Sequence, residues 1–241
     1  MASTPGAMVP DAWFVPVLPS QCCAVIPARD EAGRVGAVVR SVLRHVPVAW
    51  VVDDGSTDAT GAEARSAGAR VLRHDRPRGK GASLRTGWAA AMHAGVEWMV
   101  LLDGDGQHDP ADIPALVTAA GEASRLVVGN RMASPGPMPW SRRLANRWLS
   151  ARVSATAHQS IPDSQCGFRV AHLPTLASLA IRSEGFEIES ELCLAFSRAG
   201  FAIVSVPVRC IYGGQPSRIS PWRDGLRWWR WYRSARRPLP P

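Results

Sequence analysis

Two carboxylates stand one residue apart at the end of an apolar run, in Val100-Leu-Leu-Asp103-Gly-Asp105-Gly-Gln107-His-Asp109-Pro110. At the frayed end of a strand both can turn toward one point, and Gly104 and Gly106 let the backbone fold tightly around them. Paired oxygens of this kind suit a hard divalent cation, Mg²⁺ or Mn²⁺, which can also bridge a diphosphate. Gln107 can add a neutral oxygen to the set begun by Asp103 and Asp105. Asp109 has a plainer role, as a helix cap with Pro110 at the first helical position.

Three other motifs carry weaker chemistry. Val51-Val-Asp53-Asp54-Gly-Ser56-Thr-Asp58 also follows an apolar run. An acid there can accept hydrogen bonds from a base N–H or a ribose hydroxyl, while Ser56 or Asp58 can cap the next helix. In Val25-Ile-Pro27-Ala28-Arg29-Asp30-Glu31-Ala32, Glu31 suits a helix N-terminus through the macrodipole. Arg76-Pro-Arg78-Gly79-Lys80-Gly81 departs from both phosphate-loop spacings, Walker A and Gly-x-Gly-x-x-Gly. A glycine-flanked basic loop before a helix can still meet an anion, and a plain basic turn fits equally well.

These motifs need elements to hold them. Short apolar runs at Cys22–Pro27, Trp50–Asp53, Arg70–Arg73, Trp98–Leu102 and Leu126–Gly129 have the character of buried strands. Amphipathic stretches at Gly33–His45, Asp58–Ala67, Ala82–Ala94 and Pro110–Ala123 separate them as helices. That alternation predicts an α/β fold with a Rossmann-like, mostly parallel sheet, which binds ligands at the carboxyl ends of its strands. Every motif above falls at such an end. Beyond it come a Pro/Gly-rich loop at Met132–Ser141, a helix over Arg142–Ala157 and a short strand at Gln165–Val170. Helices at Leu173–Ile181 and Ile188–Ala199 and a strand at Ile203–Val208 complete the pattern. Residues 1–20, with four prolines and no period, are expected to be a flexible lead-in; 21–215 form one α/β domain and 216–241 an appendage.

Composition narrows the class. Over 241 residues, 46% hydrophobic and 20% charged content excludes a wholly disordered chain, a collagen repeat and a disulfide-rich miniprotein. The formal charge is +8, and from Arg209 onward there are eight arginines against the single acid Asp224. The same segment holds Trp222, Trp228, Trp229, Trp231 and both tyrosines, so it should meet an anionic partner or surface. Five cysteines with no Cys-x-x-Cys pair favour free thiols in a reducing, cytoplasmic setting. The N-terminus has no basic segment ahead of an apolar stretch, so no signal peptide is expected.

Two phosphate-handling chemistries use Asp-x-Asp after a strand. A dehalogenase-type phosphatase needs a lysine further along the chain, whereas the one lysine, Lys80, lies upstream. The ordered set Pro-Ala-Arg-Asp-Glu, Val-Asp-Asp-Gly-Ser-Thr-Asp, Arg-Gly-Lys-Gly and Leu-Asp-Gly-Asp-Gly-Gln-His-Asp-Pro instead resembles the family 2 glycosyltransferases of GT-A fold. Val128-Gly-Asn-Arg131, Asp163-Ser-Gln-Cys-Gly167-Phe-Arg169, Gly185-Phe-Glu-Ile-Glu189-Ser-Glu191 and Val206-Pro-Val-Arg209 resemble its dolichyl-phosphate mannose synthase and polyprenyl-phosphate glycosyltransferase branch.

The resemblance implies roles. Pro27, Ala28, Glu31 and Asp54 would line the nucleoside pocket, and Lys80 and Gly104 would join the nucleotide-sugar site. Asp103, Asp105 and Gln107 would hold Mg²⁺ or Mn²⁺ on the diphosphate of a GDP- or UDP-linked donor. Arg131 would meet an acceptor or donor phosphate, and Arg209 would add charge near the diphosphate. Together with Asp105 these two arginines make the expected catalytic set. The reaction would invert the anomeric carbon, with polyprenyl phosphate as acceptor on the cytoplasmic membrane face. A hydroxyl acceptor, soluble or lipid, is the alternative; it would benefit from a general base, for which Asp163, Glu187, Glu189 and Glu191 are unranked candidates. An alternative of another class is a non-catalytic nucleotide-binding module recruiting an anionic partner through its tail. Many bacterial members carry two C-terminal transmembrane helices, but no apolar run here approaches the roughly 20 residues a span needs. Two readings of the tail stay open: an aromatic, arginine-flanked helix at a membrane interface, or a Trp face packed on the domain with the arginines in water. Nucleic acid is not expected as a partner, since it would leave the Asp-x-Asp unexplained.

Overall fold

Among the described residues, seven strands form one sheet in the order β3-β2-β1-β4-β6-β5-β7. The computed structural model describes residues 17–211 and 221–236; most of the lead-in expected at 1–20, residues 212–220 and the last five residues lie outside that range. β1 (Cys22–Ala28) is almost wholly buried, as a continuous apolar run should be when helices cover both sheet faces. It pairs in parallel with β2 (Val48–Asp53) on one side and β4 (Trp98–Leu101) on the other. β3 (Arg70–Arg73) extends the sheet beyond β2. β5 (Leu126–Asn130) and β7 (Ile203–Pro207) pair in parallel at the far side. All of these strands point the same way.

β6 is the exception. It spans Arg169–His172 and lies antiparallel between β4 and β5. The strand expected at Gln165–Val170 thus begins later. Residues before Arg169 form a turn instead, because the wholly buried Arg169 guanidinium donates to the carbonyls of Cys166 (2.7 Å), Ser164 (2.8 Å) and Glu189 (2.6 Å). Three backbone acceptors satisfied by one cation fix that turn beside the carboxyl end of β4.

The helices are α1 (Val35–Val42), α2 (Thr60–Ser66), α3 (Lys80–His93), α4 (Ile113–Thr118), α5 (Trp140–Ala157), α6 (Leu173–Ser178), α7 (Ile188–Arg198) and α8 (Pro221–Ala235). Several are shorter than their sequence pattern. The stretch expected to be helical from Pro110 to Ala123 is a 3₁₀ turn over Pro110–Asp112 followed by α4. Asp109 caps that turn by accepting from the Ala111 N–H at 3.0 Å, as the sequence predicts. α5 begins two residues earlier than expected, at Trp140.

α8 folds back onto α5 and α7. Trp228 and Tyr232 are buried, their rings stack at 4.9 Å, and Trp228 Nε1 donates to Ser190 Oγ at 2.9 Å. Tyr232 Oη bonds Thr156 Oγ1 (2.9 Å) and donates to the Arg152 carbonyl (3.1 Å). Among the described residues no helix is long and apolar enough to cross a membrane.

Candidate active site

The sheet order reverses between β1 and β4, and the crevice outside their carboxyl ends holds the Asp-Gly-Asp turn. Gly104 sits against Ala28 there, and its N–H points at the Pro27 carbonyl at 3.4 Å. Asp103 Oδ1 lies 2.6 Å from Lys80 Nζ, at the first residue of α3. The same ammonium is 2.6 Å from Glu189 Oε1 in the first turn of α7. Three distant segments therefore meet at one cation. Burial alone would lower the Lys80 pKa, but the two carboxylates outweigh it and hold the group above its ordinary range. Burial would likewise raise Asp103, yet Lys80 and then His108 hold it well below the usual carboxylate range.

Close approach requires glycine at Gly167. A Cβ there would lie 2.8 Å from Asp103 Oδ2 and 2.9 Å from Lys80 Nζ. Gly81 is similarly constrained: its N–H donates to the Glu184 carbonyl at 2.8 Å, and a Cβ would collide with the Ser183 carbonyl. The basic loop is thus pinned to the segment that precedes α7.

Asp105 is the unmatched member of the pair. Its Oδ1 accepts from the Gln107 N–H at 2.9 Å. Burial, and after it the Asp103 carboxylate, push its pKa above the usual range. A carboxylate crowded in this way calls for a cation. The Gln107 side chain is half-buried beside it. Among the described residues no three His, Cys, Asp or Glu side chains gather as a metal site. This donor set fits a cation that takes one or two protein oxygens and completes its shell with substrate phosphates, the usual habit of Mg²⁺.

Arg131 follows β5. Asp163, fully buried, grips it through Nε–Oδ2 (2.8 Å) and Nη2–Oδ1 (2.9 Å) and also accepts its backbone N–H at 3.1 Å. Cys210 lies within electrostatic reach of Arg131, Asp163 and Asp105.

Two expected contact residues have close partners within the protein. Asp54 points into the protein: Oδ1 accepts from the Arg78 N–H (2.8 Å) and lies 2.7 Å from His74 Nδ1, while Oδ2 accepts from the Gly79 N–H (2.9 Å). It shapes the basic loop instead of presenting free oxygens. Arg209 donates to Asp112 through its backbone N–H (2.8 Å), Nε (3.0 Å) and Nη2 (2.8 Å), and lies 2.9 Å from Asp109. Its charge is matched by the 109–112 turn, and its side chain stays exposed. Glu31 pairs with Arg34 at 2.7 Å, beside the mouth of β1.

A family model described as glycosyl transferase family 2 matches residues 23–174. The chain belongs to glycosyl transferase family 2. Among its relatives, the undecaprenyl-phosphate mannosyltransferase of Micrococcus luteus is 31% identical over 197 residues, covering 76% of this chain and 81% of that one. The UDP-N-acetylglucosamine–dolichyl-phosphate N-acetylglucosaminyltransferase of Methanococcus voltae is 27% identical over 212 residues, 78% of this chain and 84% of that one. Glucosyl-3-phosphoglycerate synthase of Mycobacterium tuberculosis, solved with Mn²⁺, UDP and phosphoglyceric acid, superposes with a TM-score of 0.66 at 25% identity over 91% of this chain and 79% of that one. The protein is therefore a glycosyltransferase of GT-A fold, and its relatives include enzymes of the polyprenyl-phosphate branch.

The fold also brings to Asp103 and Lys80 residues that motif reading left without a role. His108, buried against Phe168 with ring centroids 5.3 Å apart, lies 3.7 Å from Asp103 Oδ2. Its place inside the Asp-Gly-Asp-Gly-Gln-His motif was the available signal. Glu189 stood among four unranked acids, and only the fold brings it to Lys80. The other three are held elsewhere: Asp163 by Arg131, Glu187 by Arg227 Nε (2.9 Å), and Glu191 by the N–H groups of Arg182 (3.0 Å) and Ser183 (2.8 Å).

Proposed function

We propose that this enzyme transfers a sugar with inversion from a GDP- or UDP-linked donor to a polyprenyl phosphate, with Mg²⁺ or Mn²⁺ bound. The observation that carries the acceptor class is the state of the acids. Each of Asp163, Glu187, Glu189 and Glu191 already has a cation or backbone N–H as partner. Glu189 alone keeps an oxygen without a hydrogen bond, and its carboxylate is already paired with the Lys80 ammonium. A phosphate is already ionised and needs no general base. The names of the Micrococcus and Methanococcus relatives, both acting on polyprenyl or dolichyl phosphates, support the same acceptor.

The donor's nucleoside lies along Pro27, Ala28, Glu31 and Gly104, and the basic loop shaped by Asp54 flanks it. Asp105 and Gln107 would hold the cation, with Asp103 oriented beside them by Lys80. When bound, the metal neutralises charge on the departing diphosphate. Arg131, fixed by Asp163, orients the acceptor phosphate for attack on the face opposite the leaving group. Glu189 keeps a second, buried oxygen without a hydrogen bond, which suits a hydroxyl of the donor sugar. The five unpaired cysteines support a reducing compartment, the cytoplasmic side of the membrane.

Transfer is tested with farnesyl phosphate and farnesol, each offered GDP-mannose, UDP-glucose and UDP-N-acetylglucosamine with Mn²⁺, Mg²⁺ or EDTA. Product is expected from the phosphate alone, from one donor class, and not in EDTA. Glycosylated farnesol would overturn the acceptor assignment.

A further inference from the structure

Helix α5 carries three large apolar side chains that face water. Trp140, Leu144 and Trp148 are 78%, 61% and 44% exposed. Their i, i+4, i+8 spacing sets them in a row about 12 Å long at 1.5 Å per residue. Single exposed apolar residues are ordinary, but a contiguous row marks an interaction surface. The row continues onto α8: Trp148 meets Trp229 with ring centroids 5.9 Å apart, and Trp229 and Leu226 are 38% and 54% exposed. α8 therefore has two faces, one closed on the domain by Trp228 and Tyr232 and one open.

Charge says what covers the open face. α5 holds Arg142, Arg143, Arg147 and Arg152 and no acid, and α8 holds four arginines against Asp224. Arg147, Arg152, Arg230 and Arg233 are exposed, and the Arg152 guanidinium lies 5.1 Å from the centre of the Trp148 ring. Indole and leucine side chains set among guanidiniums match the boundary of an anionic bilayer, where rings enter the headgroup layer and arginines meet lipid phosphates. A duplex nucleic acid would match the arginines but not exposed Leu144 and Leu226; an apolar protein partner would match the reverse.

We propose that the joint face of α5 and α8 docks this enzyme on an anionic lipid surface, with Trp140, Leu144, Trp148, Leu226 and Trp229 in the headgroup layer. It rests on the polyprenyl-phosphate reading only for its purpose, which is to bring the enzyme to a membrane-borne acceptor. A cavity of about 390 Å³ opens beside α5, lined by Asn130, Arg147, Ser150, Ser154 and Ile161. Arg147 belongs to both the cavity wall and the arginine flank, so docking sets the cavity mouth at the lipid.

The test uses the full chain and the double variant Trp140→Ser/Leu144→Ser, neither residue being part of the catalytic machinery. Both are sedimented with vesicles of phosphatidylcholine alone or with phosphatidylglycerol, at low and high salt. The wild type is expected to bind only the anionic vesicles, with salt-sensitive affinity and a blue shift of tryptophan fluorescence. The variant, at unchanged Tm, is expected to bind at least tenfold more weakly and to keep transfer to soluble farnesyl phosphate. Equal vesicle binding by the two proteins would overturn the proposal. So would a wild-type dimer that the variant splits without any vesicle binding, which would make the face a contact between copies. Loss of farnesyl phosphate transfer in the wild type, with vesicle binding intact, would count against the acceptor and leave the docking face standing.

Discussion

Asp103 and Asp105 belong to one short turn, yet their surroundings differ. Lys80 and His108 flank Asp103, whereas Asp105 has one backbone N–H and a neighbouring carboxylate. A carboxyl whose pKa is raised in the folded chain binds its proton more tightly there than when unfolded. Its ionisation therefore weakens the fold as pH climbs past the ordinary value of about 3.9. Asp105→Asn removes that burden at pH 7. Its Tm without ligands is expected to be no lower than wild type, while turnover falls at least a hundredfold; a clearly lower Tm would mean Asp105 has a structural role. The cysteines give a second handle on the same spot. Burial pushes the thiols of Cys22, Cys23 and Cys166 up to about 12, and Cys193 is buried too, whereas Cys210 is partly exposed within electrostatic reach of Arg131 and Asp105. N-ethylmaleimide on the native protein is expected to label Cys210 first and to inhibit, with donor nucleotide plus metal slowing both, as read by peptide mass mapping. Faster labelling of any other cysteine would contradict this arrangement.

At the scale of elements, the parallel strands were legible because each is a short apolar run that ends in a motif, from Pro27-Ala28 to Asp103. The turn before β6 was not. Arg169 looks like a strand residue in sequence, and only its three long-range carbonyl partners show that it closes a turn. The tie between α3, β4 and α7 was equally hidden, since Lys80 and Glu189 are more than a hundred residues apart in the chain. Removing the cation with Lys80→Met leaves Glu189 facing Asp103 without an ammonium between them, and Asp103 with His108 alone. It is expected to cost about 3–5 kcal/mol in urea unfolding; a loss under 1 kcal/mol would show that water screens the pair. Of the two open readings of the C-terminal helix, packing on the domain is met by Trp228 and Tyr232, and the membrane interface is the proposal for the opposite face. Trp228→Ala, which opens a buried site against Tyr232 and Ser190, is expected to cost about 3–5 kcal/mol. Trp229→Ser on the open face is expected to cost about 1 kcal/mol or less.

Across the whole molecule, strand ends, basic loop and α7 converge on one crevice where the sheet order reverses. Composition located the excess charge correctly at the C-terminal helix but missed α5, whose arginines look unremarkable until Trp140, Leu144 and Trp148 are seen to share its surface. Asp54 and Arg209 stand at the expected strand ends, but their partners at 74–79 and 109–112 emerge only from the fold. The central claim is that the crevice binds a nucleoside diphosphate through a metal at Asp105. Thermal unfolding with GDP, UDP, dTDP or CDP, each with Mn²⁺, Mg²⁺ or EDTA, tests it most directly. A ligand at about 100 times its Kd adds about 2.7 kcal/mol, roughly 5–10 °C for a chain of this size. One nucleoside diphosphate is expected to give that rise only with metal, and Asp105→Asn to abolish it. Equal stabilisation in EDTA, or none by any of the four, would contradict the account.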